Sequence, residues 1–468
     1  MGWPGSATPT TTLRVLNYIW LALVLLAVAI GGWNDRLKDV TAGAFDGAKT
    51  AVTIALGLIG IMALWLGVMR LAERAGLVQR IARGLRPIMR RLFPDVPSDH
   101  PAMGSMVMNM SANMLGLGNA ATPLGLRAMR DLETLNPRPS VATNAMCTFL
   151  AINTSSVQLI PATAIAILAA SGSTRPTAIV GTALLATLCA ASVAIISVKL
   201  LEKLPMFRIS PSDQRTKVEE GLEKAEAEEE AGIIDPGYSS VVPQEPARRL
   251  SVLGSIALAV LTVLFLVLFV RMVAPNLFGL AMAPDTAAQN VFVRSVNALS
   301  ILAIPFLLSF FPLYAAARGV KVYEEFVEGA KEGFGVILKI IPFLVTMLVA
   351  IGMFKGAGGI ELLSRALSPI LSPLNFPPDL LPLALMRPLS GSATLALLTD
   401  IVHRLGPDNI VSLTAATIYG STETTFYVAA VYFGAVGIKQ TRHAIPAGLL
   451  ADLTGVIASV VICRAVLG

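Results

Sequence analysis

Five consecutive polar side chains, Ser421, Thr422, Glu423, Thr424 and Thr425, stand inside an otherwise apolar run from Ile410 to Val436. In water such a patch would be ordinary. In a bilayer each of these groups has to find a partner, and a carboxylate at that depth costs on the order of several kcal/mol unless it is compensated. A carboxylate held there can bind a coupling cation or an amine on a solute, and a protonated one can carry the proton itself. Asn153, Thr154, Ser155 and Ser156 interrupt a second apolar run, Ala145 to Ala170, in the same manner. Taken singly, hydroxyls in spans often bond back to their own helix. The clustering is what marks these two groups, and the rest of the chain has to bring them together.

The chemistry they exclude is as informative. Ser421 and Glu423 have no mid-membrane histidine or metal motif with which to form a nucleophile and base, which speaks against an enzyme. None of His100, His403 and His443 sits mid-span with Cys or Asp at ligand spacing, and no G-x-x-x-x-G-K-[ST] motif occurs. A transition-metal path therefore lacks its ligands, and no cofactor is expected beyond a coupling cation or proton. The three cysteines lie singly in apolar runs and read as small hydrophobes.

Composition fixes the setting. Of 468 residues, 54% are hydrophobic and only 14% charged, with a mean hydropathy of +0.70. Soluble domains carry about a quarter charged residues, so this is a polytopic, all-helical membrane protein whose first partner is the lipid bilayer. The net charge of +6 does not indicate nucleic acid, because the arginines cluster between hydrophobic runs, where they set orientation.

In chain order, Leu13 to Gly31 reads as an uncleaved first span, Asp35 to Lys49 as an interfacial helix, and Ala51 to Met69 as a second span. The arginine row Arg70, Arg74, Arg80, Arg83, Arg86, Arg90 and Arg91 then predicts a cytoplasmic amphipathic helix, which places the N-terminus in the cytoplasm of a plasma (cell inner) membrane protein. Between His100 and Leu126, the breakers Asn109, Ser111, Asn113, Gly116, Gly118, Asn119 and Pro123 predict a re-entrant hairpin, with one kinked span as the alternative. Spans over Ala145 to Ala170 and Thr177 to Leu201 follow. The acidic stretch Glu202 to Arg249 is a linker, and Leu250 to Val273 and Val296 to Ala317 are two more spans.

The second half replays the first. Gly47-Ala48-Lys49 recurs as Gly329-Ala330-Lys331 before the span Val336 to Phe354, and Leu85-Arg86-Pro87-Ile88 recurs as Leu367-Ser368-Pro369-Ile370. A second broken stretch, Leu380 to Leu398, carries Arg387, Ser390 and Ser392 where the first hairpin carries its tip. The Ser421 to Thr425 span then takes the place of the Asn153 span. An odd number of crossings between the copies makes them oppositely oriented. The expected organisation is residues 1–201 as the first repeat, 202–249 as the linker, 250–317 as a connecting pair and 318–468 as the second repeat.

Here the residues resemble a known family. NYIWL and AINTSSVQLIPAT in the first half, and YGSTETTFYVAAVYFGAVG in the second, are similar to the spore maturation proteins A and B fused in one chain. Both halves look like the nucleoside-recognition, or gate, domain that is also found in concentrative nucleoside transporters and in the ferrous iron transporter B. In the nucleoside transporters, hairpins and broken helices supply polar side chains to nucleobase and ribose. The resemblance carries that role onto Asn109, Asn113, Asn119, Asn153 to Ser156, Arg387, Ser390, Ser392 and Ser421 to Thr425. It implies transport of a small polar solute, nucleoside-like as a first guess, past a site near the midplane. A non-transporting structural or regulatory membrane protein, and a membrane enzyme, stand as the alternatives. Assembly with further copies of the chain is left open.

Overall fold

The computed structural model describes residues 11–115, 118–207, 250–280, 289–359, 362, 365 and 376–468, without the side chains of 11–19, 118–120, 206, 336, 339, 340 and 343. The linker from residue 208 to 249, Gly116, the Asn119 side chain and Leu367 to Ile370 lie outside the described residues. What is described is all-helical, with five helices long and apolar enough to cross a membrane: Leu37–Arg74, Pro176–Leu201, Val252–Val273, Val291–Ala317 and Ala444–Val466.

Helix α1 (Thr11–Trp33) leads into α2 (Leu37–Arg74), which corrects the sequence reading: the interfacial helix and the second span are one helix of 38 residues. The charges Asp39, Asp46 and Lys49 suggested a boundary, yet neither proline nor a turn signal separates them from Ala51. The glycines Gly43 and Gly47, unfavourable in an isolated helix, are retained because another helix lies against them. That helix is α11 (Val322–Gly356), again continuous through the Gly329-Ala330-Lys331 motif.

Helices α2 and α11 run antiparallel and touch through glycine along their length. A Cβ on Gly43 would overlap the Gly352 carbonyl, one on Gly47 the Leu348 carbonyl, one on Gly329 the Leu66 carbonyl and one on Gly356 the Asp39 carbonyl. Gly43/Gly47, Gly329/Gly333 and Gly352/Gly356 are three small-xxx-small pairs, the spacing that lets helix backbones approach in lipid. Gly47 and Gly329 are 282 positions apart, as are their contacts Leu66 and Leu348. Such reciprocal contacts have the form of a two-fold relation across the helix pair. At one end of the seam Arg70 bonds Glu325 and Glu332 at 2.8 and 2.6 Å, and Arg74 bonds Glu325 at 3.1 Å.

From this seam hang the elements of each half. In the first, α3 (Leu77–Leu92) buries Val78, Ala82 and Met89 on one stripe and exposes Arg80, Arg83, Arg86, Arg90 and Arg91. Helices α4 (Pro101–Met114) and α5 (Gly118–Thr134) form a hairpin, followed by α6 (Asn144–Ser155), α7 (Ala162–Ala170) and α8 (Ile179–Leu201). The connecting pair, α9 (Val252–Val273) and α10 (Val291–Ala317), leaves α9 with only Leu258 buried. In the second half α12 (Leu381–Met386) and α13 (Gly391–Leu405) form the shorter hairpin, then come α14 (Ile410–Ser421), α15 (Thr425–Ala435) and α16 (Ala444–Val466).

The loops before α6 and before α16 are bound to each other. Ala142 N–H donates to the Gln440 carbonyl at 3.0 Å, the Lys439 and Gln440 N–H groups donate to Ser140, and Arg442 donates to the Ala142 carbonyl and Asn144 Oδ1, each at 2.9 Å. Behind this clasp His443 is buried, 5.7 Å from the Phe207 ring, with neither ring nitrogen hydrogen-bonded.

Three predictions follow from this packing. Gly43→Ala is expected to destabilise by about 1–3 kcal/mol through overlap with the α11 backbone, whereas Gly60→Ala, with nothing within 4 Å of its Cβ, is expected to leave the thermal midpoint in detergent unchanged or raised. Cysteines at the exposed Arg83 and Lys355, which lie toward opposite ends of the seam, are expected to take a membrane-impermeant label from opposite sides; labelling from one side would exclude the inverted arrangement. Burial, then the charges of Arg442 and Lys199, push the His443 imidazole down to about 4 from its ordinary 6.5. A folded-state value below the unfolded one means stability is complete above about pH 6.5 and is lost as the pH falls toward 4. His100, also lowered by burial, adds a slope of the same sign. The midpoint is therefore expected to drop on acidification, and His443→Leu to flatten that drop in part.

Candidate functional site

The two polar runs break their helices and meet. Helix α6 stops at Ser155, where Ser156 takes a left-handed conformation at φ 30°, and the chain resumes as α7 only at Ala162. Helix α14 stops at Ser421, Thr422 is extended, and α15 begins at Thr425. Each break leaves backbone groups without a helical partner, which hydrocarbon cannot satisfy. They are satisfied across the fold. Glu423 N–H donates to the Thr154 carbonyl at 2.6 Å, joining one break to the other. Leu159 N–H donates to the Met114 carbonyl at 3.1 Å and Phe426 N–H to the Pro388 carbonyl at 3.0 Å, so each break is also fastened to the turn of its own hairpin. Thr187, from α8, donates toward the carbonyls of both Ser155 (3.0 Å) and Ser156 (2.7 Å).

Several of the sequence-selected hydroxyls are spent on this architecture. Thr154 bonds the Leu150 carbonyl at 2.9 Å, Ser155 that of Ile152 at 3.0 Å and Ser421 that of Ile418 at 2.9 Å, all buried. Ser390 caps α13 through Ala393 N–H at 3.2 Å and lies 3.2 Å from Ser392. These side chains hold helix ends in shape, as the i−3 and i−4 bonds of Ser and Thr do elsewhere.

Others form an amide network. Asn113 donates to Asn153 Oδ1 at 2.8 Å, and Asn153 donates to the Phe149 carbonyl at 2.9 Å. Asn109, fully buried, donates to the Ala121 carbonyl at 2.7 Å and to the Tyr432 hydroxyl at 3.3 Å. Tyr432 lies 3.5 Å from Asn153 Oδ1 and stacks on Phe149 with centroids 5.8 Å apart. Asn109 and Asn113 sit within α4 rather than at the hairpin tip where the sequence reading put them, because α4 runs on to Met114 and both amides bond to groups of α5, α6 and α15.

The charged part is contributed by the second half. Arg387, at the end of α12, is 2% exposed; its guanidinium lies over the Tyr419 ring at 4.9 Å and donates to Thr424 at 3.4 Å. Its distance to Glu423 is 3.9 Å, so the two are neighbours rather than a close pair. The Glu423 side chain is 40% exposed and accepts from Gln158 at 3.3 Å, while Ser421, Thr422, Thr424 and Thr425 around it are all buried. Glu423 is thus the group of the five that faces accessible space, with the half-buried Gln158 beside it.

Two residues escaped the sequence reading. Gln158 lies in the α6–α7 break itself, three positions past Ser155, and its place within the interruption was the available signal. Asp452, on α16, is 2% exposed and accepts from the Thr425 hydroxyl at 2.5 Å. An aspartate inside the apolar run Ala444 to Leu467 carried the same signal as Glu423, without the surrounding hydroxyls that drew attention to the latter.

Fold and site together define a polytopic helical membrane protein in which two broken helices, one from each half, meet at a polar centre. A family model described as nucleoside recognition, the gate domain, matches residues 55–171 and 337–439, two stretches that begin 282 positions apart. The chain is 47% identical over 182 residues to spore maturation protein A of Bacillus subtilis (strain 168), covering 39% of this chain and 93% of that protein. It is 45% identical over 173 residues to spore maturation protein B of the same organism, covering 37% of this chain and 97% of that protein. No solved structure matches. The chain belongs to the spore maturation A/B family of gate-domain membrane proteins.

If Tyr432 clamps the amide network, Tyr432→Phe leaves Asn109 and Asn153 short of a buried partner, and a loss of about 1–3 kcal/mol is expected in detergent unfolding.

Proposed function

We propose that this protein is a transporter that moves a small polar solute past the junction of the two helix breaks, with a nucleoside-like solute as the first candidate. The observation that carries the reading is Glu423: a carboxylate in the gap of a broken helix, its side chain open while the four hydroxyl residues around it are buried. Transport proteins built from opposed repeats place their sites at such interruptions, where backbone and side-chain groups not used by the helices are free to hold a solute. Gln158, Glu423, Asn113 and Ser392 are among the half-buried polar groups described in the region, and they offer amide, carboxylate and hydroxyl chemistry suited to hydroxyl- and amide-bearing solutes. The reading takes the two halves as oppositely oriented in a plasma membrane, with the arginine face of α3 and the N-terminus on the cytoplasmic side. It assigns no catalytic step to the chain.

A structural or regulatory role without transport is the second reading, favoured by the number of hydroxyls that only hold helix ends in place. The two separate on flux. In proteoliposomes screened with labelled nucleosides, nucleobases, amino acids and polyamines, a solute whose uptake saturates is expected, and Glu423→Gln is expected to reduce that uptake at least about tenfold, the loss of a charged hydrogen bond in a substrate site. With the carboxylate part-exposed and 3.9 Å from Arg387, stability should change by no more than about 1 kcal/mol. No saturable uptake of any solute in the panel, with folded protein in the bilayer, would favour the structural role.

A further inference from the structure

Asp452 has the wrong surroundings for a structural carboxylate. It is 2% exposed in the long apolar helix α16, on the face that also carries Gly448 and Gly455, and those glycines abut Thr425, Thr154 and Thr422 of the two breaks. Its Oδ2 accepts from Thr425 at 2.5 Å. Its Oδ1 has no hydrogen bond, and the Thr422 hydroxyl beside the same carboxylate, 3% exposed, has none either. The Thr422 hydroxyl is thus close enough to act on the Asp452 carboxylate, yet neither it nor Asp452 Oδ1 completes a hydrogen bond of normal geometry, and both keep a lone pair to give.

The local charge count points the same way. The charged side chains that act on Asp452 are Arg387, from the α12–α13 hairpin, and Glu423, from the α14–α15 break. The α8 side chain at this level that reaches the breaks is Thr187, already committed to the Ser155 and Ser156 carbonyls. One cation thus faces two carboxylates. Arg387 is directed to Thr424, the Tyr419 ring and the neighbourhood of Glu423, so Asp452 is left with neutral hydroxyls. A buried negative charge without a counter-charge is strongly disfavoured by desolvation, and a small cation held between hard oxygen donors removes that cost.

We propose that Asp452, with the hydroxyls of Thr422 and Thr425, is a binding site for one small monovalent cation, a sodium ion or a proton. Its carboxylate balances the surplus negative charge of the Arg387–Glu423–Asp452 group and joins α16 to the α14–α15 break. Occupancy then governs how firmly that break is held, and in a transporter this is the place where an ion gradient is linked to the solute site. That last link rests on the transport reading. The cation site does not.

The test accordingly uses no solute and no flux. Purified protein in detergent is heated in sodium chloride or in choline chloride at matched ionic strength, and proton uptake is followed with an indicator dye on stepping an unbuffered sample from alkaline to neutral pH. For sodium, a saturable rise of the wild-type midpoint that choline does not reproduce is expected. For the proton, wild type is expected to take up one proton more than Asp452→Asn. Asp452→Asn, which keeps an acceptor for Thr425 but removes the charge, should lose whichever response the wild type shows. Thr422→Val, which leaves the carboxylate in place, should weaken it several-fold and serves if Asp452→Asn folds poorly. Glu423→Gln removes the surplus charge but no donor at Asp452, and should weaken the response without abolishing it. Wild type and both site variants responding alike to sodium and to the pH step would overturn the proposal, whatever the flux measurements give.

Discussion

The hydrogen bond from Glu423 N–H to the Thr154 carbonyl is the contact on which the centre of the protein depends. Two helices are interrupted within apolar runs, where hydrocarbon cannot complete their backbone bonds. Each interruption is stable only because the other supplies what it lacks, with the Met114 and Pro388 carbonyls of the hairpins as the second anchors. A change in the relative position of the halves must therefore break or exchange these bonds. That makes the junction a natural point of control, since the number of groups involved is small and all lie within one layer of the fold.

The seam between α2 and α11 makes this possible. Two helices of 38 and 35 residues are about 57 and 52 Å long at 1.5 Å per residue, well beyond the hydrocarbon thickness of about 30 Å. Glycines at both ends bring their backbones into direct contact, and the Arg70, Arg74, Glu325 and Glu332 cluster fixes one end in register. Because Gly47 and Gly329 make the same contact, with Leu348 and Leu66, the seam holds the two halves in a reciprocal relation. The two breaks are brought together by this reciprocity as much as by their own bonds.

The centre was legible in the sequence to the extent that polarity marks it. Asn153 to Ser156 and Ser421 to Thr425 stood out because an apolar run makes each polar residue costly, and both coincide with helix breaks. The same reasoning reached the recurrence of Gly47 in Gly329, whose contacts display it in space. It failed where a signal has two readings. Charges at Asp39, Asp46 and Lys49 resemble those of an interfacial helix, but they equally decorate the end of a helix longer than the membrane is thick. Asn109 and Asn113 carry the composition of a hairpin turn, yet they sit within α4 because buried amides need partners that only packed helices provide here. Asp452 was passed over because it stands alone in its run, and its partners come from α14 and α15, distant in sequence until the fold closes.

The two halves share a scaffold but not a chemistry. The first contributes neutral amides: Asn109 and Asn153 meet Tyr432 of the other half, Asn113 donates to Asn153, and Gln158 donates to Glu423. The second contributes the ionisable groups described at the centre, Arg387, Glu423 and Asp452. Neutral amides tolerate burial with ordinary hydrogen bonds, whereas a buried charge needs a counter-charge or a bound cation. A pair of identical halves would have doubled the charge and its desolvation cost at one level of the bilayer. Under the transport reading this difference separates two tasks: the amide side is suited to reading the shape of a neutral polar group, and the charged side to responding to a cation. On the same reading, Glu423 belongs to both, since its carboxylate accepts from Gln158 on one side and lies 3.9 Å from Arg387 on the other.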